Sequence, residues 1–283
     1  MPIHATPCIL RAVRELEGRT AVLTGAAGGI GEHIARALAR EKMALVLSGR
    51  NEAALNELRD ELRSAGTRAE SVVADLGRRD ELHSLIPRAE AALGPVDVLV
   101  NNAGVQVAGR FVDITDDQVD EIVSINLVAP MLLTRDALPG MLDRGRGHVV
   151  TIASLAGKLS LSCNEHYGMT KAGLIRLTQG LRAEFRNSPV GFSVVSPGFT
   201  SAGIFTRMGG DPSRVPRTTG VGPPEKVAEA VVKAIKHDLP DVNVNPVPVG
   251  PALAMEAVAP RLFERLVVRG APNEMLEEAA DQS

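Results

Sequence analysis

A serine, a tyrosine and a lysine in the second half of the sequence have the types and spacing that suit proton transfer. Tyr167, the only tyrosine in the chain, lies four residues before Lys171, so a helix would present both side chains on one face. A free phenol titrates near pH 10 and a neighbouring ammonium favours the phenolate, so the pair predicts a lowered tyrosine pKa. The hydroxyl of Ser154 could donate to a substrate oxygen beside the phenol. The competing interpretation is an amphipathic helix start that carries Tyr and Lys by chance.

Glycines follow the first predicted strand, in the segment Thr24–Gly31. Glycine at such a turn lets a pyrophosphate approach the N-terminus of the next helix, where free N–H groups and the helix dipole favour anions. A tight turn with close packing would need the same residues, but the position directly after the first strand favours dinucleotide binding.

The next two strands end in residues that could distinguish between dinucleotides. Arg50 closes the second strand, where sites for NAD usually hold an acid, and no Asp or Glu occupies this turn. Arg50 therefore favours NADP, whose 2′-phosphate needs a cation, although an exposed arginine on a solvated turn is the alternative. Asp75, after the third strand, could accept a hydrogen bond from an adenine amino group or could merely cap the turn before Arg78.

Asparagines mark the fourth strand and the helix after it. Asn101-Asn102-Ala103-Gly104 would let the chain pass close to a flat ligand while its amides bond neighbouring strands, and a structural turn would explain the same residues. Asn126 lies among apolar residues inside the next predicted helix, where a buried amide needs partners. It predicts either a structural hydrogen bond or a water held for proton transfer.

The elements that must position these residues follow from alternating apolar runs and amphipathic stretches, which predict βαβ units and a parallel sheet. The predicted strands are Thr20–Thr24, Ala44–Ser48, Ala69–Ala74, Val96–Asn101, His148–Ala153, Gly191–Ser196 and a weaker one near Val242–Val247. The predicted helices are Gly29–Lys42, Glu52–Ser64, Asp80–Leu93, Asp117–Leu142, Tyr167–Arg186 and Glu225–Lys236. The fold class is α/β, a doubly wound Rossmann-like sheet in a single domain, with ligands at the carboxyl ends of the strands.

Three segments depart from this alternation. We expect an N-terminal extension at 1–16 and a C-terminal helical extension at 249–283, on either side of a domain at 17–248. Inside that domain, residues 200–224 are dense in Gly, Pro, Ser and Thr and predict a long mobile loop beside the substrate. Pro260–Val268 predicts a short helix that packs against this subunit or a neighbour, with a membrane-surface helix as the alternative.

Composition excludes several classes of function. The formal net charge is -3 and aromatic residues make up 2% of the chain, which argues against a nucleic-acid binder. Two cysteines, Cys8 and Cys163, are too few for a disulfide framework, and no Cys and His cluster has zinc-ligand spacing. We expect no metal, no signal peptide and no transmembrane segment, and hence a cytoplasmic protein.

Taken together, these motifs resemble the short-chain dehydrogenase/reductase family in its compact form, over about residues 17–237. The resemblance implies that Tyr167 is the general acid/base, that Lys171 lowers its pKa and binds the nicotinamide ribose, and that Ser154 orients the substrate carbonyl. It implies that Asn126 holds a proton-relay water. It also implies cofactor contacts from Gly25, Gly28, Gly29, Ile30, Gly31, Arg50, Asp75, Asn102, Ala103, Gly104, Tyr167, Lys171, Pro197, Gly198 and Thr200.

The family resemblance further implies hydride transfer between NADP(H) or NAD(H) and a carbonyl or secondary alcohol, in a homo-oligomer (tetramer or dimer). The expected pocket neighbours are mostly apolar and favour a hydrophobic substrate: Gln106, Leu155, Leu159, Leu161, Phe199, Ile204 and Phe205. The glycine pattern also fits the extended, epimerase-like form of the family. Chain length and Asn101-Asn102-Ala103-Gly104 favour the compact form. Two other functions stay open, a non-catalytic dinucleotide sensor or scaffold and an epimerase or dehydratase that recycles its cofactor.

Overall fold

The structure is a computed structural model that describes residues 15–107, 109–203, 215 and 220–265. Most of the predicted N-terminal extension, with Cys8, lies outside the described residues. So do Ile204, Phe205, much of the loop predicted at 200–224, and the chain after residue 265. The domain boundaries at 17 and 248 therefore stay predictions.

Within the described residues, seven parallel strands form one sheet in the order β3-β2-β1-β4-β5-β6-β7. Their bounds are β1 Thr20–Thr24, β2 Ala44–Gly49, β3 Ala69–Val73, β4 Val96–Asn101, β5 Gly147–Ile152, β6 Val190–Pro197 and β7 Asp241–Val244. The predicted doubly wound α/β sheet is confirmed, with small shifts at the strand ends. Because the strand order reverses between β1 and β4, a crevice for ligands is expected at their carboxyl ends.

Helices cover both faces of this sheet. Their bounds are α1 Gly29–Arg40, α2 Glu52–Ser64, α3 Arg79–Leu93, α4 Asp116–Val123, α5 Ala129–Asp143, α6 Glu165–Glu184, α7 Pro224–His237, α8 Gly250–Val258 and α9 Pro260–Phe263. One apolar core joins α1, α2 and α7 to the sheet, and a second joins α3 and α5 to the opposite face. Burial on both faces explains why most of the strands are nearly all apolar.

The predicted helix Asp117–Leu142 is interrupted. A π-helical turn, Ser124–Val128, separates α4 from α5, and Asn126 lies inside it. Pro130 follows at the start of α5 and has no N–H to donate, which disfavours a regular helix at this point. The periodic pattern predicted the helical stretch but not the wide turn.

The same stretch, Asp116–Asp143, is the one described helix long and apolar enough to cross a membrane, and half of its most apolar window is buried in the fold. A helix at the core of a globular protein meets the same criteria. Burial against the sheet accounts for the apolar character of Asp116–Asp143.

The chain after the sheet contains a helix, α8, inside the helical extension predicted at 249–283, although no periodic pattern located its bounds. α8 comes before the predicted Pro260–Val268 helix, of which the described part is α9, with Phe263 buried. Glu256 of α8 accepts hydrogen bonds from the backbone N–H (3.0 Å) and the hydroxyl (2.6 Å) of Ser160. These bonds fix α8 to the segment that joins Ser154 to α6.

Candidate active site

The glycine turn between β1 and α1 is built so that only glycine fits at several positions. A Cβ on Gly31 would lie 2.1 Å from the carbonyl oxygen of Gly25, and one on Gly25 would lie 2.9 Å from Cα of Ala103. Gly25 also has a φ of +62°, which L side chains rarely adopt. Gly28 is the N-cap of α1 and has no side chain to cap it, so the N–H groups at this helix end can serve an anion.

A second segment lies against this turn. A Cβ on Gly29 would meet the N and Cα of Gly203 at 2.3 and 2.4 Å, so the chain after β6 packs directly on the glycine turn. The hydroxyl of Thr200 donates to the carbonyl of Ala202 at 2.6 Å and stabilises this local turn. A pyrophosphate could reach Gly29 only if Ala202 and Gly203 moved away from it.

The ends of β2 and β3 lie side by side, because Gly49 pairs with Val73. Arg50 follows directly, is exposed, and has no ion-pair partner among the described residues. Asp75 accepts a hydrogen bond from the N–H of Gly77 at 2.9 Å. The capping role expected for Asp75 is therefore present, and its other carboxylate oxygen can still accept from a ligand.

Asn101 and Asn102 bond neighbouring elements through their amides, as their sequence context predicts. Asn102 Nδ2 donates to the carbonyls of Thr24 and Gly25, both at 3.0 Å. Asn101 Nδ2 donates to the hydroxyl of Thr134 at 3.1 Å. The Asn102–Gly104 segment is thereby held beside the glycine turn, at the crevice where the strand order reverses.

Ser154, Tyr167 and Lys171 meet at the carboxyl end of β5. Ser154 hydrogen-bonds to the phenol of Tyr167, and its Oγ accepts from the N–H of Ala156 at 3.1 Å. Lys171 Nζ lies 5.4 Å from the centre of the Tyr167 ring and donates to the carbonyl of Ile152 at 3.1 Å. The structure therefore brings together the three residues that the sequence singled out.

The protonation of this group differs from the sequence-based expectation. Burial raises the pKa of Tyr167 to about 12, and the hydrogen bond from Ser154 only partly opposes that rise. Burial also lowers the pKa of Lys171 to about 8. The expected lowering of the Tyr167 pKa by Lys171 is therefore wrong for this structure, because removal of the phenol from water outweighs any favourable charge nearby. At neutral pH the phenol carries its proton.

Asn126 has structural partners. Its Oδ1 accepts from the N–H of Val105 and its Nδ2 donates to the carbonyl of the same residue, both at 2.8 Å. Nδ2 also lies 3.4 Å from the hydroxyl of Thr170. Of the two roles that the sequence left open, the structural hydrogen bond is present, and the water-holding role stays a prediction.

Pro197 and Gly198 line the end of β6. The carbonyl of Pro197 lies 3.4 Å from the Ser154 hydroxyl. A Cβ on Gly198 would lie 2.2 Å from the amide oxygen of Asn245, so glycine is needed where β7 ends. Asn245 lies inside the weaker strand predicted near Val242–Val247, whereas the observed β7 ends at Val244, so no motif marked this residue as part of the site.

Two histidines, His148 and His166, are both buried and hydrogen-bonded. His148 lies 2.8 Å from the hydroxyl of Ser193 and 3.9 Å from Asp238, an arrangement like a catalytic triad. All three side chains are buried at positions far apart in the sequence, so no spacing pattern could reveal them and no substrate can reach the serine. Cys163 is half-buried, with a φ of +54°.

The residues of this crevice fit a nicotinamide dinucleotide. The uncapped glycine turn suits a pyrophosphate once Ala202 and Gly203 move away from Gly29, and the exposed guanidinium of Arg50 suits a further phosphate. Ser154 and Tyr167 bring two hydroxyl groups together at the carboxyl end of β5.

Comparison with known proteins agrees with this geometry. The family model for short chain dehydrogenases matches residues 19–211, more than half of the chain. The protein belongs to the short-chain dehydrogenase/reductase family. Members are NAD(P)-dependent oxidoreductases, so the chain is an enzyme of that class.

Individual relatives carry more specific names. The chain is 38% identical over 259 residues to a protein of Nostoc sp. named ketoacyl reductase HetN, covering 89% of this chain and 88% of that one. A short-chain dehydrogenase/reductase from Burkholderia phymatum, solved with NAD, has a TM-score of 0.80 at 27% identity and covers 88% and 96% of the two chains. An actinorhodin polyketide ketoreductase, solved with NADPH, has a TM-score of 0.73 at 29% identity and covers 80% and 95%. Structures similar to this chain thus hold either dinucleotide.

Proposed function

We propose that this enzyme reduces a ketone attached to an apolar group, with NADPH as the hydride donor and Tyr167 as the proton donor. One observation carries the proposal: the buried phenol of Tyr167 is hydrogen-bonded to Ser154 at the end of β5, beside Lys171. Because the phenol is protonated at neutral pH, it suits the reducing direction, in which the enzyme must supply a proton. The reverse oxidation of a secondary alcohol would need the phenolate.

Each side chain has a distinct task in the proposed reaction. When bound, the nicotinamide would supply the hydride that adds to the carbonyl carbon. Ser154 donates a hydrogen bond to the carbonyl oxygen and holds it beside Tyr167, whose Oη gives up its proton to that oxygen. Lys171 favours the phenolate so formed and binds the nicotinamide ribose, and Asn126 holds the water that returns a proton.

The proposed preference for NADP rests on Arg50. Its exposed guanidinium stands where an acid would bind the 2′-hydroxyl of NAD, and no acid occupies the turn. We assign the remaining cofactor contacts to Gly25, Gly28, Gly29, Ile30, Gly31, Asp75, Asn102, Ala103, Gly104, Pro197, Gly198 and Thr200. Their places at the carboxyl ends of β1, β3, β4 and β6 support this assignment.

The proposed substrate class rests on the residues near Ser154 and on the relatives. Leu155 is buried, and Leu159, Leu161 and Phe199 are half-buried beside the site, which suits an apolar chain next to the ketone. A ketoacyl reductase and a polyketide ketoreductase among the similar proteins support the same class. We also propose a homo-oligomer and a cytoplasmic setting.

Replacement of Tyr167 by phenylalanine tests the proposal, since it removes one oxygen and keeps the packing. We expect the wild type to consume NADPH with at least one member of a panel of aliphatic ketones and ketoacyl thioesters, and the Tyr167→Phe variant to lose about 100-fold or more of that turnover. NADPH binding, followed by nicotinamide fluorescence, should persist in the variant. Full turnover by the variant, or binding without reduction across the panel in the wild type, would overturn the proposal.

A further inference from the structure

Three consecutive residues after the fourth strand, Val105, Gln106 and Val107, are each held by a polar side chain from another element. We call residues 105–107 the clamped segment. Asn126 bonds both the N–H and the carbonyl of Val105 at 2.8 Å. The other two bonds come from the start of α6, the helix that carries Tyr167.

The bonds from α6 are short and enclosed. Asn164 Oδ1 accepts from Gln106 Nε2 at 2.8 Å, and His166 Nε2 lies 2.7 Å from the carbonyl of Val107. A carbonyl oxygen can only accept, so Nε2 of His166 carries the hydrogen. Asn164 and His166 are 6% and 5% exposed, which leaves little room for water to replace either bond.

His166 bears a cost that a merely space-filling residue would avoid. Its Nδ1 is enclosed and has no hydrogen-bond partner within the described residues. A buried polar atom without a partner costs about 1–3 kcal/mol, which a leucine at this position would not incur. A leucine would, however, leave the buried carbonyl of Val107 without a donor, so the imidazole serves this one bond.

The same network reaches the reactive tyrosine from two sides. His166 directly precedes Tyr167 in α6, so its bond to Val107 lies one residue before the tyrosine. On the following turn the Thr170 hydroxyl donates to the carbonyl of Tyr167 at 2.8 Å and lies 3.4 Å from Asn126 Nδ2. These bonds tie the clamped segment, through His166 and Asn126, to the first turn of α6 before and after Tyr167.

We propose that Asn164 and His166 are positioning residues, which hold the clamped segment as a wall of the substrate pocket and keep the phenol of Tyr167 enclosed and aimed at the substrate carbonyl. The side chain of Gln106, whose amide is fixed by Asn164, then faces the pocket as a determinant of substrate shape. This inference rests on the proposed function where it makes Tyr167 the proton donor. The contacts themselves do not depend on that role.

The chain offers a direct probe of this proposal, because Tyr167 is its only tyrosine and it has no tryptophan. A pH titration of phenolate absorbance therefore reports on this residue alone. In the His166→Ala variant we expect the Tyr167 midpoint to fall toward the value of a free phenol, near pH 10, as water enters. We also expect amide hydrogen exchange of residues 105–107 to accelerate by about tenfold or more.

Two conservative variants and one control separate positioning from general loss of structure. His166→Gln, which can still place an N–H near the Val107 carbonyl, should restore both readouts, whereas the shorter His166→Asn should not. Thr178→Val removes another buried hydrogen bond of α6, from the Thr178 hydroxyl to Leu174 at 2.9 Å, and should change neither readout. If His166→Ala does not fold, the titration midpoint and the exchange rates of His166→Asn test the proposal instead.

The proposal is wrong if the alanine and asparagine variants keep the wild-type midpoint and exchange rates, or if the Gln and Asn variants behave alike. With a ketone from the panel above, His166→Asn should lower kcat about tenfold and leave the KM for NADPH unchanged. If the wild type reduces no ketone, the proposed function fails, yet the titration and the exchange measurements still decide whether the clamp exists.

Discussion

At the scale of single residues, burial decides which groups of the site carry a proton. Tyr167 and Lys171 are both removed from water, and each is pushed toward its neutral form. A neutral phenol can donate its proton, and a lysine with a pKa of about 8 is still mainly protonated at neutral pH, so its charge can stabilise the phenolate that forms beside it. The pair is therefore arranged for proton donation rather than for proton abstraction.

The lowered pKa of Lys171 predicts a specific dependence of stability on pH. Between pH 8 and 10.5 the unfolded chain binds this proton more than the folded chain does, so unfolding free energy due to Lys171 rises with pH through that window. Replacement by methionine should remove a rise of up to about 3 kcal/mol, at about 1.4 kcal/mol per pKa unit. Urea denaturation of both proteins at several pH values, without cofactor, measures the difference.

Tyr167 acts in the opposite sense but at higher pH. Its folded pKa of about 12 exceeds that of a free phenol, so its contribution to stability is lost as pH rises above 10. This loss is common to both proteins and cancels in the comparison. Lys233→Met, at an exposed position of α7, is the control and should keep the wild-type pH profile. Parallel profiles for the wild type and Lys171→Met would show that Lys171 has an ordinary pKa.

Arg50 gives a second prediction at this scale. If its guanidinium binds the 2′-phosphate, Arg50→Ala should weaken NADPH binding about 10- to 100-fold, the value of a hydrogen bond to a charged group, and leave NADH binding nearly unchanged. Fluorescence titration with both nucleotides measures this. Arg40→Ala, at the far end of α1, is the control. Tighter binding of NADH than of NADPH by the wild type would contradict the proposed preference.

At the scale of elements, periodic apolar patterns predicted the strands and helices of the sheet. Features that depend on contacts between residues far apart in the sequence were not predicted. Apolar runs located all seven strands, and the predicted sheet placed Ser154 and the glycine turn at the same edge. The π turn at Asn126 escaped prediction because α and π helices share the same apolar pattern over so few residues. The clamp by His166 escaped as well, since its partner Val107 is remote in sequence and offers only a backbone carbonyl.

The packing of α6 against the turn after Ser154 leads to a prediction about two glycines. A Cβ on Gly168 would lie 2.7 Å from the carbonyl oxygen of Ala156, so Gly168→Ala should push that turn away from α6 and separate Ser154 from Tyr167. Gly180, exposed in the same helix, has open space around it. Gly180→Ala should therefore stabilise the protein by about 0.5–1 kcal/mol.

The two alanine variants thus have opposite expected effects on stability. Thermal unfolding should show a lower midpoint for Gly168→Ala and a higher one for Gly180→Ala. Loss of ketone reduction should accompany only the first. Equal stability of the two variants would mean that α6 and the turn are not in the close contact described above.

At the scale of the whole molecule, the site exists only because separate strands end at one edge. The carboxyl ends of β1, β4, β5 and β6 bring together segments that lie far apart in the sequence. Family resemblance supplied the roles of those segments, and the parallel sheet explains why they meet. Contacts made by the chain after the sheet, such as that of Glu256 with Ser160, follow neither from family resemblance nor from the parallel sheet. Only the structure shows them.

The outer surface of the molecule gives the last prediction. Val119 of α4 and Met131 of α5 are each 42% exposed, and Met169 of the neighbouring α6 is 53% exposed. The π turn adds one residue to the helix, which returns positions 119 and 131 to nearly the same face. Because exposed apolar side chains on neighbouring helices are typical of interaction surfaces, we expect these residues to contact a second copy of the chain in the proposed homo-oligomer. Met131→Glu should lower the mass measured by sedimentation at micromolar concentration, whereas Val258→Glu on α8, 85% exposed, should not. A wild-type monomer, or an unchanged assembly in Met131→Glu, would place the interface elsewhere or remove it.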